Sequence, residues 1–191
     1  MPQPKANNEK YTYQDYCQWP DEERWEIIDG IAYDMSPAPN MRHQGILINL
    51  AGIVRTSLSK KPCIPRFSPI DVVLSDYDVV QPDFIIVCDR TKITEKNIQG
   101  APDVVFEIIS PSTSKKDRWI KQTLYEKSGV KEYIIVFPEG NYLERYILGE
   151  DGRFNRGEMM EEKDTLELMS VPGVVIPLGE VFADDLKQES A

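Results

Sequence analysis

Three charged residues stand at positions where strand alternation or helical periodicity calls for apolar ones. In Gln81-Pro-Asp-Phe-Ile-Ile-Val, a two-residue period puts Asp83 on one face with Ile85 and Val87. In Asp103-Val-Val-Phe-Glu-Ile-Ile, Glu107 shares its face with Val105 and Ile109. On the helix that follows, Ile120, Leu124, Tyr125 and Ser128 form the inward stripe. Lys121 falls inside that stripe, whereas Lys115, Lys116, Gln122 and Glu126 point away. A buried charge is costly unless it is paired, bound to a metal or held neutral. Two acids and one lysine make a site of net −1, a natural seat for a divalent cation. Oxygen donors without Cys or His ligands favour Mg²⁺ or Mn²⁺ over zinc. A cation held there polarises a phosphate and activates water, the logic of metal-assisted phosphodiester hydrolysis. Taken singly, each residue fits a buried ion bridge with no chemistry; together they favour a reactive site.

Other chemistries are excluded by what the chain lacks. His43 is the single histidine, so a two-imidazole metal site cannot form, and no G-x-S-x-G elbow accompanies it. Neither G-x-x-x-x-G-K-[ST] nor G-x-G-x-x-G occurs. Cys17, Cys63 and Cys88 lie far apart without a C-x-x-C, which reads as three buried or half-buried thiols rather than a zinc ribbon or disulfide framework. With 191 residues, 41% hydrophobic and 28% charged, the chain suits one soluble domain with one sizeable core. Its apolar runs are far shorter than the ~20 residues of a membrane span. The polar start offers no secretory signal, so a cytoplasmic protein is expected.

The positioning elements follow from local pattern. Arg24–Met35 predicts a hairpin about Asp29-Gly30. Asn40 is an N-cap for a helix over Arg42–Ser59, whose apolar face is Leu47, Leu50, Ala51, Val54 and Leu58. His43 lies one turn before Leu47 on that face. Strands are expected over Ile64–Leu74, Val79–Cys88 and Asp103–Ile109, the first turning into the second at Ser75–Asp78. A second helix, Lys115–Ser128, ends at Gly129, and Lys131–Pro138 is a further buried strand. Asn141–Leu148 and Arg153–Met160 pair across Glu150-Asp-Gly152, and the stretch through Val171 to Phe182 wraps the core irregularly.

Pro82-Asp83, followed by Glu107 after 23 intervening residues, resembles the P-D…(D/E)-x-K signature of the PD-(D/E)XK nuclease superfamily. Trp25-Glu-Ile-Ile-Asp-Gly, Ser68-Pro-Ile-Asp-Val-Val-Leu, Val80-Gln-Pro-Asp, Gly100-Ala-Pro-Asp-Val-Val-Phe-Glu-Ile-Ile-Ser-Pro-Ser-Thr and Gly129-Val-Lys-Glu-Tyr resemble the bacterial Uma-type (Uma-two) restriction endonuclease family over about residues 10–182. One departure is that Ile109 stands where the superfamily has its lysine; Lys121 on the next helix is the residue that would match. The resemblance implies that Asp83 and Glu107 bind metal, with the Ile108 carbonyl as a third ligand. It also implies that Lys121 orients or deprotonates the attacking water. His43 stands where relatives often carry an acid on the first core helix, and could hold a metal-bound water, contact a phosphate or simply pack. Asp71 could be a supporting partner, an additional ligand or a hairpin-end cap. Tyr125 could hydrogen-bond the site or pack, and the role of Gln81 is left open.

The expected fold is therefore α/β: a restriction-endonuclease-like mixed central sheet flanked by helices, with additional N- and C-terminal strands. A single nuclease-like domain spans 1–191, with a core over about 24–138 and acidic strands and wrap over 139–182. The expected activity is Mg²⁺-dependent hydrolysis of DNA phosphodiester bonds. Net charge is −10, but residues 132–191 hold 14 acids against 5 bases. Ser112–Lys131 is locally +4, and Lys115, Lys116 and Arg118 are its candidates for phosphate contacts, which would position DNA without specifying sequence. Two alternatives stand beside this reading: a catalytically silent nucleic-acid-binding or scaffold relative, and a metal-dependent phosphohydrolase of small nucleotides. A homodimer is expected, since symmetric double-strand cleavage needs two sites.

Overall fold

A computed structural model describes residues 9–20, 23–35, 38–109 and 115–184, with side chains from 118 onward in the last stretch. In chain order the elements are α1 (Tyr13–Tyr16), β1 (Trp25–Ile28), β2 (Ile31–Asp34), α2 (Met41–Ser57), β3 (Ile64–Phe67), β4 (Val72–Ser75), β5 (Asp78–Val80) and β6 (Phe84–Val87). Then come β7 (Ile98–Gln99), β8 (Val104–Ile108), α3 (Lys115–Ser128), β9 (Glu132–Phe137), β10 (Tyr142–Ile147), β11 (Glu158–Glu161), β12 (Thr165–Glu167), β13 (Val175–Pro177) and α4 (Leu178–Val181).

The central sheet is mixed and six-stranded, in the order β11-β10-β9-β8-β6-β3. Its one parallel pair is β8 with β9, joined through α3, the crossover that parallel pairing requires. Alternation along these strands sorts their side chains onto two covered faces. Phe84, Ile86, Phe106, Ile108, Ile134 and Val136 pack with Ile46, Leu47, Leu50 and Val54 of α2. Ile85, Val87, Val105, Tyr133 and Ile135 pack with Leu124 and Tyr125 of α3. A second sheet, β2-β1-β5-β4-β7, adds Ile28, Val72, Val80 and Ile98 to the α3 cluster. Its opposite face is covered by the aromatic lead-in: Tyr11, Tyr13, Tyr16 and Trp19 pack against Ile27, Val73 and Val79.

Local chemistry accounts for the turns that hold these layers. Asp29 and Gly30 both have positive φ (50° and 73°), the backbone of a two-residue hairpin between β1 and β2. The Asn40 side chain caps α2 by accepting from the His43 backbone N–H at 2.9 Å. Gly129, at φ 84°, ends α3 in the left-handed region.

Three expectations need correction. The strands expected over Ile64–Leu74 and Val79–Cys88 are each divided between the two sheets. The first ends at Phe67 and resumes at Val72, with a cis Ser68–Pro69 bond between; β3 joins β6 while β4 joins β5. The second breaks at Gln81-Pro82-Asp83, where proline removes a ladder donor. Asp83 therefore sits at the junction of two sheets rather than inside a strand. The cysteines also differ: Cys63 and Cys88 form a disulfide, and Cys17 is exposed. The antiparallel β3–β6 register, with Ile64 opposite Val87, brings the two flanking cysteines face to face. Finally, the stretch expected to wrap irregularly contains β13 and α4, and β13 pairs with β12 just before it. Leu166, Leu168, Val171, Val174, Ile176, Leu178, Val181 and Phe182 complete the α2-side core, leaving the acids of this segment outside. Among the described residues no helix is long and apolar enough to cross a membrane.

Candidate active site

The division of the strands places Asp83 against two elements at once. Its Oδ2 accepts from the Ile108 backbone N–H at the end of β8 (2.7 Å), and lies 3.2 Å from His43 Nε2 in the first turn of α2. His43 is buried, and its Nδ1 has no partner among the described residues. Glu107, one residue before Ile108, faces the opposite side of the sheet towards α3. There its Oε1 accepts from the Tyr125 hydroxyl at 2.7 Å and from Lys121 Nζ at 3.0 Å. One helical turn separates Lys121 from Tyr125, which is why a single carboxylate oxygen can meet both.

The alternation argument finds Glu107 and Lys121 but not Glu26. This residue of β1 is 5% exposed and shares its face with Ile28, towards α3. Its Oε1 accepts from Lys121 Nζ at 2.8 Å and from the Gln81 backbone N–H at 2.9 Å. Its signal in the sequence was the same one: a carboxylate at an inward strand position, in the Trp25-Glu-Ile-Ile hairpin. The site thus holds three carboxylates against one ammonium, net −2 with all of them ionised, rather than the net −1 expected.

The electrostatics follow from burial and from this crowding of like charge. Burial pushes the Glu107 carboxyl up to about 7; Lys121 opposes the shift, and the neighbouring charges of Asp83 and Glu26 add to it. Burial would lower the Lys121 ammonium, yet Glu107 and Glu26 together hold it above its ordinary value. Lys121 is therefore a permanent cation at neutral pH.

Among the described residues, each acid of the signature keeps one oxygen without a hydrogen-bond partner. Both hydrogen bonds to Glu107 end on Oε1, and both contacts of Asp83 end on Oδ2. Among the described residues the fully buried side-chain atoms without a hydrogen-bond partner are His43 Nδ1 and Glu132 Oε1. Neither carboxylate is fully sealed: the Glu107 side chain is 10% exposed and the Asp83 side chain 16%. No three His, Cys, Asp or Glu side chains among the described residues converge to hold a metal by themselves. Carboxylate oxygens, with a backbone carbonyl and water to complete the shell, are the hard donors that Mg²⁺ accepts.

The remaining expected residues fall at different distances from this centre. Tyr125 hydrogen-bonds the site rather than merely packing. Asp71 is bound elsewhere: its Oδ1 accepts from the Tyr16 hydroxyl (2.7 Å) and Gln81 Nε2 (2.9 Å). Gln81 Oε1 in turn accepts from Arg24 Nε and Nη2 at 3.1 and 3.0 Å. Asp71 and Gln81 thus brace the segment entering Pro82-Asp83 from the α1 side. Arg118 turns towards β9 and β10, with Nη1 3.7 Å from Glu144 and its guanidinium 5.7 Å from the Phe137 ring centre. The side chains of Lys115 and Lys116 lie outside the described residues.

Because Glu107 binds its proton more tightly when folded, its contribution to stability is complete below about pH 4.5. It is lost as pH rises through about 7. Urea unfolding in EDTA should therefore show the native protein losing on the order of 1–3 kcal/mol between pH 5 and 8 relative to Glu107→Gln, which has no such proton. Parallel profiles for the two proteins would contradict this origin of the shift.

Residues 13–179 match the Uma2 family, described as "Putative restriction endonuclease", and the chain belongs to that family. An uncharacterized protein from Synechocystis sp., slr1290, is 26% identical over 172 residues, covering 88% of this chain and 90% of its own length. A crystal structure from Anabaena variabilis, titled as a "putative nuclease" of DUF820, superposes with a TM-score of 0.73 at 17% identity. It covers 90% of this chain and 97% of its own. At that identity the likeness establishes the shared fold.

Proposed function

We propose that this protein is a Mg²⁺- or Mn²⁺-dependent endonuclease that hydrolyses phosphodiester bonds in DNA. The observation that carries the reading is the pair of partly exposed carboxylates on adjoining segments, Asp83 bound to the Ile108 N–H and Glu107, one residue earlier, bound to the Lys121 ammonium. Asp83, Glu107 and the Ile108 carbonyl would hold the cation, which when bound supplies Lewis-acid polarisation of the phosphate and a more acidic water. The chain's own residues do the rest. Ile108 N–H and His43 hold Asp83 Oδ2, which leaves Oδ1 for the cation. Tyr125 fixes Glu107 Oε1 in the same way. Of the two roles open to Lys121, deprotonating water or stabilising charge, the doubly paired ammonium supports the second. It orients water or phosphate and offsets the negative charge that develops on the phosphate.

The form of this reading is a cytoplasmic homodimer that contacts DNA phosphates through Lys115, Lys116 and Arg118. Its test is cleavage of plasmid, single-stranded DNA and free nucleotides by the purified protein with Mg²⁺, with Mn²⁺ and with EDTA. Metal-dependent cleavage of DNA supports the proposal. Turnover confined to free nucleotides would make it a small-molecule phosphohydrolase, and metal-independent silence with no thermal stabilisation by Mn²⁺ would make it a non-catalytic relative.

A further inference from the structure

We infer that Glu26 is a positioning residue of this site, the carboxylate that keeps Lys121 in place when Glu107 is shared with a cation. The inference rests on the nuclease reading for its catalytic consequence, but its structural content stands apart from it.

The geometry is specific. A single oxygen, Glu26 Oε1, accepts from Lys121 Nζ at 2.8 Å and from the Gln81 backbone N–H at 2.9 Å. Gln81 is two residues before Asp83, so this oxygen ties the segment carrying Asp83 to the helix carrying Lys121. Among the described residues the Lys121 ammonium has two carboxylate partners, Glu26 and Glu107, and they occupy two of its three N–H groups. The third is left for water or phosphate. Holding two donors directs the third, so loss of either carboxylate frees rotation about the Cε–Nζ bond.

The two partners are not equivalent. Glu107 is also the residue that the nuclease reading gives to the cation, its Oε1 already holding Lys121 and Tyr125. With a dication held there, Lys121 would share its carboxylate with a second positive charge, and the two cations would repel. Glu26 would be the one carboxylate left to Lys121 alone. Without Glu26 the ammonium is expected to withdraw from the site on metal loading, while the cation's own oxygens remain in place.

Glu26→Gln preserves the acceptor for Gln81 and removes the charge. The first readout is the lysine ammonium signal in ¹H–¹⁵N spectra of the full chain, assigned to Lys121 by its disappearance in Lys121→Arg. In the native protein this signal should persist on addition of Mg²⁺; in Glu26→Gln it should vanish on addition of Mg²⁺ while the backbone spectrum stays folded. The second readout is Mn²⁺ affinity, expected to stay within about fivefold of the native value. The third is cleavage at saturating Mn²⁺, where turnover should fall about 10–100-fold, the usual cost of losing a supporting partner, with KM for DNA nearly unchanged.

A persistent ammonium signal with native turnover would overturn the inference. So would a collapse of Mn²⁺ affinity, which would make Glu26 a metal ligand instead. If the native protein cleaves no DNA, the nuclease reading fails while the Mg²⁺-dependent ammonium signal still decides the role of Glu26. Should Glu26→Gln not fold, Glu26→Asp, which keeps the charge but shortens its reach, is judged by the same three measurements.

Discussion

Glutamine in place of Glu107 is expected to give a folded protein with metal-dependent DNA cleavage reduced by about 10³-fold or more. A bound cation supplies several kcal/mol of charge stabilisation in phosphoryl chemistry, and each ~1.4 kcal/mol is tenfold in rate. The variant should lose this because an amide oxygen is a poorer ligand than a carboxylate. Its fold should survive, because the new side chain's amide oxygen can still accept from Tyr125 and Lys121. The change also removes an acid that burial makes reluctant to ionise, so above pH 7 the melting temperature should be equal to or higher than the native one. Asp83→Asn should show the same loss of cleavage, with its acceptor for Ile108 N–H retained. Full activity in either variant would remove both residues from the metal site.

Lys121→Met carries the second large effect, and it acts on two quantities at once. Turnover should fall about 10²–10³-fold, the range for removing one preorganised group that stabilises transition-state charge. Mn²⁺ should still bind, since Lys121 is not a ligand. Stability should fall as well: Glu26 and Glu107 are both buried, and an abandoned partner in a buried ion pair costs about 3–5 kcal/mol unless it takes up a proton. The destabilisation should therefore shrink at low pH, where Glu107 carries its proton. Lys121→Arg separates the two effects. It keeps the charge and much of the stability while moving the donors, so turnover should remain low. Native turnover in Lys121→Met, measured on the folded fraction, would reduce Lys121 to a structural counter-ion.

Much of the frame was legible along the chain because short-range rules decide it. Asp29-Gly30 needs positive φ at adjacent positions and adopts it. Asn40 caps α2 through its own side chain, and Gly129 closes α3. Lys121 was visible because helical geometry relates it to Leu124 and Tyr125 within one turn. Glu26 was harder to see, since both faces of β1 are buried and alternation no longer marks an inside. Its partners are 55 and 95 residues distant. The Cys63–Cys88 bond was hidden for a similar reason: it depends on the β3–β6 register, a pairing of segments well apart in sequence.

The order of residue types along this chain dictated its turns, its caps, the apolar faces of its helices and the presence of inward charges, because each is settled by neighbours within a few positions. Only the folded molecule decided which charges meet. Splitting two strands between two sheets brings Asp83 to the end of β8, and packing β1 against α3 adds Glu26 to Lys121. Those meetings depend on long-range packing, where burial of whole surfaces outweighs any local preference.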